Sequence, residues 1–503
     1  MPSPRRSLHV VETAKNGALA TPRRDVDAII DALQDEGRIV LHFHGGLVNA
    51  AAGRRISDNL QGTYEDAGAY PVFFVWHSGL LEVIRGNLKK IVEEDVFKLI
   101  EKWVAKFVVG KVLQEPGTRG LAPSAPSDND VLRKLAVRTE GTEPYQELQI
   151  PEGLAELTQQ EQDEFARAVA GDGEVQIVTA SIIDSILRED EVATSRGIEV
   201  ARRRSSKTLI SAEVVAEFEQ EAAGAAEGQK GIVSGALLAR KAAQILVRVV
   251  QRFGRRNDHG IYPTIFEEIL REFYLGNVGA HIWAAMKGQT KETFDAGAPT
   301  RGGRYFMSRL GDVIRAGRRP EVTLVGHSTG AVFIDNLLRH VEAMREDPTE
   351  PLPADFRFKN LVFLAPACTF EDFASVVERN STLFDRFRMF TMTDAAECKD
   401  WLLSFVYPRS LLYFVSSVLE TESDGSSSPA KPLVGLNRYY QAAASGEAPA
   451  VALVRSFVAG DGTRVVWSPA SYGDGLASGA ISHSAFDDDH QVRASLSYLI
   501  SHA

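Results

Sequence analysis

The chain has only two cysteines among its 503 residues, Cys368 and Cys398. Two cannot build a disulfide framework, and the scarcity points to a reducing, cytoplasmic compartment. Positive charge is also in short supply. The net charge is −11, whereas tracking phosphates needs a cationic surface, so nucleic acid is not expected as a partner. The stretch MPSPRRSLHVVETAKNG carries two arginines with no apolar run behind them, unlike a secretory leader. Long apolar runs are missing too. The nearest, Trp401 to Leu419, has Pro408 and Arg409 at its middle, where a membrane-spanning helix tolerates a charge least. No transmembrane segment is therefore expected; peripheral membrane contact stays open. No zinc spacing, P-loop or dinucleotide fingerprint occurs, so no metal and no cofactor is expected. The run Asp487-Asp488-Asp489-His490 reads as the start of a helix.

What the chain does have is the stretch EVTLVGHSTGAVFIDNLLRHV, Glu321 to Val341. Val322 to Val325 has the composition of a strand buried on both faces. Phe333, Ile334, Leu337, Leu338 and Val341 then recur at helical spacing, with polar residues between them. Strand, Gly326-His327-Ser328-Thr329-Gly330, helix is the context of a nucleophile elbow. The sharp turn wants small residues two positions either side of the serine, and the glycines satisfy that. The helix N-terminus offers unpaired N–H groups to a developing oxyanion, with the Thr329 amide as the expected donor. His327, the variable residue of the elbow, is expected to point elsewhere.

The surrounding pattern is that of an α/β protein with a mostly parallel, doubly wound sheet. Arg38–Phe43 and Pro71–Trp76 read as strands separated by a helix, and Leu361–Leu364, Arg386–Thr393 and Thr463–Trp467 as later strands. Three parts are expected: residues 1–78 and 302–503 as the two halves of the core, and 79–301 as a mostly helical, cap-like insertion. In the insertion, Leu88 to Phe107 steps along as one long helix. Its basic clusters, Arg202-Arg203-Arg204 with Lys207, and Arg248, Arg252, Arg255 and Arg256, read as a solvated face, with anionic lipid as the other reading. The apolar stretch at 401–432 reads as a lid-like segment, split at Pro408.

A serine needs a base, and the base needs a carboxylate to orient it. Asp394 follows the 386–393 strand, and His483 lies in a loop before the closing helix. The order Ser328, Asp394, His483 is one of the known triad orders. Glu397, Asp461 and Asp474 are the rivals of Asp394. His44-Gly45-Gly46, after the first strand, can supply further oxyanion N–H groups, because glycines let the backbone turn inward; His44 is expected to brace that turn.

Through HGG at 44–46, GHSTG at 326–330, TMTD ending at 394 and ISHSAFDD at 481–488, the chain resembles the α/β-hydrolase superfamily, lipase and esterase type. The resemblance covers roughly residues 37–80 and 303–503, and departs from the usual pattern in the large insertion. It implies a serine hydrolase that cleaves a carboxylic ester, with a lipid-like acyl group preferred, through an acyl-enzyme. Ser328, Asp394 and His483 would be its triad, and Gly45, Gly46 and Thr329 its oxyanion hole. Amide or peptide hydrolysis by the same triad, and a non-catalytic interaction protein on a hydrolase scaffold, are the alternatives.

Overall fold

The computed structural model describes the chain except for residues 1–7, 47–49, 77–79, 115–126, 137–142, 149, 151–153, 155, 183–207, 227–228, 277, 296, 299, 348–351, 421–429, 442–447 and 503. Seven strands make one parallel sheet: β1 (Val10–Thr13), β2 (Arg38–Phe43), β3 (Tyr70–Trp76), β4 (Glu321–His327), β5 (Phe358–Leu364), β6 (Phe384–Met392) and β7 (Val465–Ser468). Their order is β1-β3-β2-β4-β5-β6-β7. All the expected strands are present within a few residues. The added β1 is an edge strand of alternating burial, too short to announce itself by an apolar run.

Register places the functional loops side by side. Phe43 at the end of β2 pairs with Gly326 near the end of β4, and His327 pairs with Leu364 on β5. The turns after β2, β4 and β6 therefore open at the same edge of the sheet, where parallel α/β folds gather their ligands.

Helices cover both faces. One face carries Val26, Ile29, Phe306, Leu310, Phe333, Leu337, Phe373 and Val454 against Leu41, Leu324 and Phe363 of the strands. On the other face Leu60 and Leu496 pack with the insertion in one continuous core: Phe97, Val108, Leu246, Phe266 and Phe273 join Val325, Val362 and Phe390. The insertion is thus built onto the sheet rather than tethered to it.

Three expectations change in detail. The long helix breaks into Leu80–Ile91 and Asp95–Gln114, because the acidic run Glu93-Glu94-Asp95 suits a helix start better than a helix interior. Arg248 and Arg252 do not form a solvated face. Arg252 is 2% exposed and bonds Glu267 and Glu268, and Arg248 bonds Glu268 and Glu272. Buried guanidinium groups need such carboxylate partners to offset their desolvation. The cluster at 202–207 lies outside the described residues.

The 401–419 part of the lid-like segment is packed into the core, with Leu411–Phe414 and Val415–Leu419 helical and buried. Tyr262 of the insertion bonds the Val406 carbonyl at 2.9 Å. Glu420 receives Trp283 Nε1 at 2.9 Å and Lys287 Nζ at 2.6 Å. The loop beyond it, 421–429, is outside the described residues.

Candidate active site

Ser328 has φ 55°, the left-handed region that a non-glycine residue enters only when its surroundings hold it there. They do so here. The Ser328 amide donates to the Leu364 carbonyl at 2.8 Å, and its own carbonyl accepts from Ala367 N–H at 3.0 Å. Both elbow glycines are sterically required. A Cβ on Gly326 would lie 2.7 Å from Ile334 Cδ1, and one on Gly330 would lie 2.1 Å from the Phe43 carbonyl oxygen. The elbow helix, Gly330–Glu346, follows at once, with Thr329 as its N-cap residue.

His483 Nε2 stands 2.9 Å from Ser328 Oγ. The histidine sits on a short helical turn, His483–Ala485, between the end of β7 and the closing helix His490–Ser501. It is buried, and burial first, then the neighbouring His327, pull its pKa down to about 3, opposed by Asp487. Its imidazole is accordingly neutral at physiological pH, which is the form that accepts a hydroxyl proton.

Gly45 and Gly46 lie beside Ser328 and Thr329. A Cβ on Gly45 would be 3.3 Å from Ser328 Cβ, and one on Gly46 would be 2.9 Å from Thr329 Oγ1. His44 braces them. Its Nε2 accepts the Trp76 N–H at 3.2 Å, which leaves Nδ1 as the donor to the Gly45 carbonyl at 2.7 Å. The ring also stacks on Trp76 with centroids 4.2 Å apart. Because a trans peptide sets C=O and N–H in opposite directions, fixing the Gly45 carbonyl toward His44 turns the Gly46 N–H away from it. Burial lowers the His44 pKa to about 4, so the brace stays neutral.

Asp394 requires a correction. Thr393 caps a short helical turn that begins at Asp394, and the Asp394 carboxylate accepts the Tyr413 hydroxyl. It does not bond His483, whose Nδ1 is buried without a hydrogen-bond partner among the described residues. The rivals fare no better. Glu397 is fully buried, and burial pushes its carboxyl well above the usual range. Asp461 bonds Thr463 beside β7, and Asp474 is exposed. The carboxylate that reaches the histidine is Asp400, whose Oδ2 accepts the His483 backbone N–H at 2.7 Å.

No family model, no curated protein and no solved structure matches this chain. The site has to be read from its own chemistry.

A cleft of about 350 Å³ opens over the serine and the histidine. Ile56, Leu81 and Leu411 supply apolar wall, and Arg55, Asn59 and Asp488 a polar rim. Of the 401–419 segment only Leu411 lines it; Phe414 packs instead on Tyr407, with ring centroids 5.4 Å apart. A larger cavity of about 760 Å³ lies between the insertion helices Ala212–Ala223 and Lys230–Gly254, where Glu217, Glu221, Arg240 and Lys241 line it without any nucleophile. Among the described residues no cluster of three or more His, Cys, Asp or Glu could hold a metal. Asp489 caps the closing helix, accepting from Val492 N–H at 2.8 Å. No described helix is long and apolar enough to cross a membrane.

Two groups escaped the sequence reading. One is Asp400, six residues past Asp394 in the same loop. The other is His327, which does not point elsewhere but lines the cleft and bonds Asp487 and the His483 carbonyl at 2.7 and 3.0 Å. Asp487, read from the sequence as the start of the closing helix, lies in the loop before it and partners His327.

Proposed function

We propose that this chain is a serine hydrolase of the α/β-hydrolase kind, cleaving a carboxylic ester through an acyl-enzyme. The observation that carries the reading is the 2.9 Å contact from His483 Nε2 to the hydroxyl of a serine held at positive φ between a central strand and a helix. Backbone strain of this kind clusters at functional sites, and here it coincides with the histidine contact.

Ser328 Oγ attacks the carbonyl carbon while His483 Nε2 takes its proton. The oxyanion is held by the amides of Gly46 and Thr329, with Gly45 leaving room for the substrate. His483 returns the proton to the leaving alkoxide. Water then attacks the acyl-enzyme by the same route in reverse and releases the acid. Asp400, rather than Asp394, is the carboxylate assigned to the histidine, because its Oδ2 accepts the His483 backbone N–H and so holds the residue that carries the base. Ile56, Leu81 and Leu411 favour an apolar acyl group.

Ser328→Ala should lower ester turnover by on the order of 10⁶ with the fold intact. Undiminished turnover in a folded Ser328→Ala protein would remove the assignment.

A further inference from the structure

His327 has a hydrogen-bond acceptor at each ring nitrogen. Nδ1 lies 2.7 Å from Asp487 Oδ2, and Nε2 lies 3.0 Å from the His483 carbonyl oxygen. A carbonyl can only accept, so Nε2 must carry a proton; an ionised carboxylate can only accept, so Nδ1 must carry one as well. The ring is then an imidazolium, buried directly behind the nucleophile. The remaining Asp487 oxygen, Oδ1, is buried with no hydrogen-bond partner among the described residues and lies 4.0 Å from His42 Nε2.

We propose that the His327 imidazolium and the Asp487 carboxylate form a buried clamp that positions His483 against Ser328, and that the charge of His327 tunes the basicity of His483. The inference rests on the serine-hydrolase reading above. The clamp joins two parts of the chain that no secondary structure connects. His327 is fixed at the end of β4, next to the nucleophile. Asp487 and the His483 carbonyl belong to the loop that delivers the base. Asp487 is held from behind as well, where Arg493 Nε of the closing helix donates to its carbonyl at 2.8 Å. One ring thus ties the base's own backbone to the strand that carries the nucleophile. The His327 and His483 rings, 5.3 Å apart at their centroids, are close enough for charge on one to oppose protonation of the other.

The ionisable groups around His327 are few. His42 and His44 face it from β2, and burial holds both near pKa 4, so they stay neutral. Asp487, Asp488 and His483 face it from the histidine loop. Beyond them, Arg493 of the closing helix neutralises Asp488 at 2.9 Å, and the Tyr64 hydroxyl bonds His42 at 2.9 Å. Burial alone would lower the His327 pKa, but Asp487 and the His483 carbonyl outweigh it and raise the value above that of an ordinary histidine. His327 in turn holds Asp487 near 2, against the upward pull of burial.

The test uses the intact protein, ¹⁵N-labelled at histidine, and two variants. The ¹⁵N shifts of each imidazole are followed across pH, an ordinary histidine losing its proton near about 6.5. One imidazole should keep both protons to higher pH than that, and this behaviour should be lost in both His327→Gln and Asp487→Asn. Each variant should slow fluorophosphonate labelling of Ser328 and kcat about 10- to 100-fold, the range expected for a lost charged hydrogen bond, with KM little changed. In His327→Gln the acid limb of kcat/KM should move to higher pH, because the charge opposing protonation of His483 is gone. A merely structural role would lower the amount of folded protein without moving that limb. If no imidazole keeps its proton above the ordinary histidine range in protein that labels normally, the clamp is overturned while the hydrolase reading stands. An imidazolium in protein that never labels overturns both, since there is then no base to position.

Discussion

The backbone N–H of His483 donates to Asp400 Oδ2 at 2.7 Å, while the Nδ1 of the same residue is buried without a hydrogen-bond partner among the described residues. Asp400 holds the main chain of the residue that carries the proposed base, and on that contact we assign it the orienting role. Asp400→Asn should therefore lower kcat by about 10³- to 10⁴-fold with little change in KM, as for a group that sets the histidine tautomer. Asp394→Asn should stay within a few-fold of the parent, because Asp394 serves Tyr413. Steady-state kinetics of the two variants decide it. The opposite ranking would return the role to Asp394.

The depressed histidines fix a pH signature. His483, near 3, is free to act as a base far below the usual histidine range, so kcat/KM should stay flat through pH 6.5 and fall only toward pH 4 and below. Burial of these histidines also makes stability depend on pH, which an exposed histidine with an unshifted pKa would not do. His42, His44 and His483 bind protons in the unfolded chain below about pH 6.5 but not in the folded one until near 4, 4 and 3. Stability is then present above pH 6.5 and lost as pH falls, by up to about 1.4 kcal/mol per pH unit for each such group. Denaturant melts between pH 7 and 4.5 measure this. A flat stability, or an acid limb at 6.5, would contradict it.

On the proposed reading, the apolar wall of Ile56, Leu81 and Leu411 selects the acyl group. Each buried methylene is worth about 0.8 kcal/mol, so kcat/KM for p-nitrophenyl esters should rise with chain length until the cleft of about 350 Å³ is full. Leu411→Ser should flatten the rise and spare the acetate ester. Phe414→Ser should mainly destabilise, since Phe414 is buried away from the cleft. A profile that peaks at acetate and ignores Leu411 would mean a small polar pocket.

The elbow glycines and an exposed helical glycine should respond oppositely to alanine. Gly330→Ala drives a Cβ into the Phe43 carbonyl and should cost about 2 kcal/mol or more, with loss of probe labelling. Gly86→Ala, on an exposed stretch of Leu80–Ile91 with nothing within 4 Å, should stabilise by about 0.5–1 kcal/mol. Thermal unfolding of both tests whether the close approach is real.

The strands and the elbow were legible because their signals are local. A β-branched run closed by Gly-x-Ser-x-Gly names its own conformation, and the 386–393 and 463–467 runs fell within a few residues of β6 and β7. The carboxylate was not legible. Asp394, Glu397 and Asp400 follow the same strand, and which of them faces His483 depends on a helical turn capped by Thr393 that no periodicity reveals. His327 was misjudged for a related reason. Its partners are about 160 residues away in sequence, and only the sheet register brings that loop over the elbow. The burial of Arg248 and Arg252 hinged likewise on glutamates of another helix.

The most direct test of the account is fluorophosphonate labelling of the intact protein, read by mass spectrometry of its peptides. The account predicts a single phosphonyl adduct, on Ser328, formed by the parent and by Asp394→Asn at similar rates and absent from Ser328→Ala. Folded parent protein that takes up no label, or label that persists in Ser328→Ala, would contradict it.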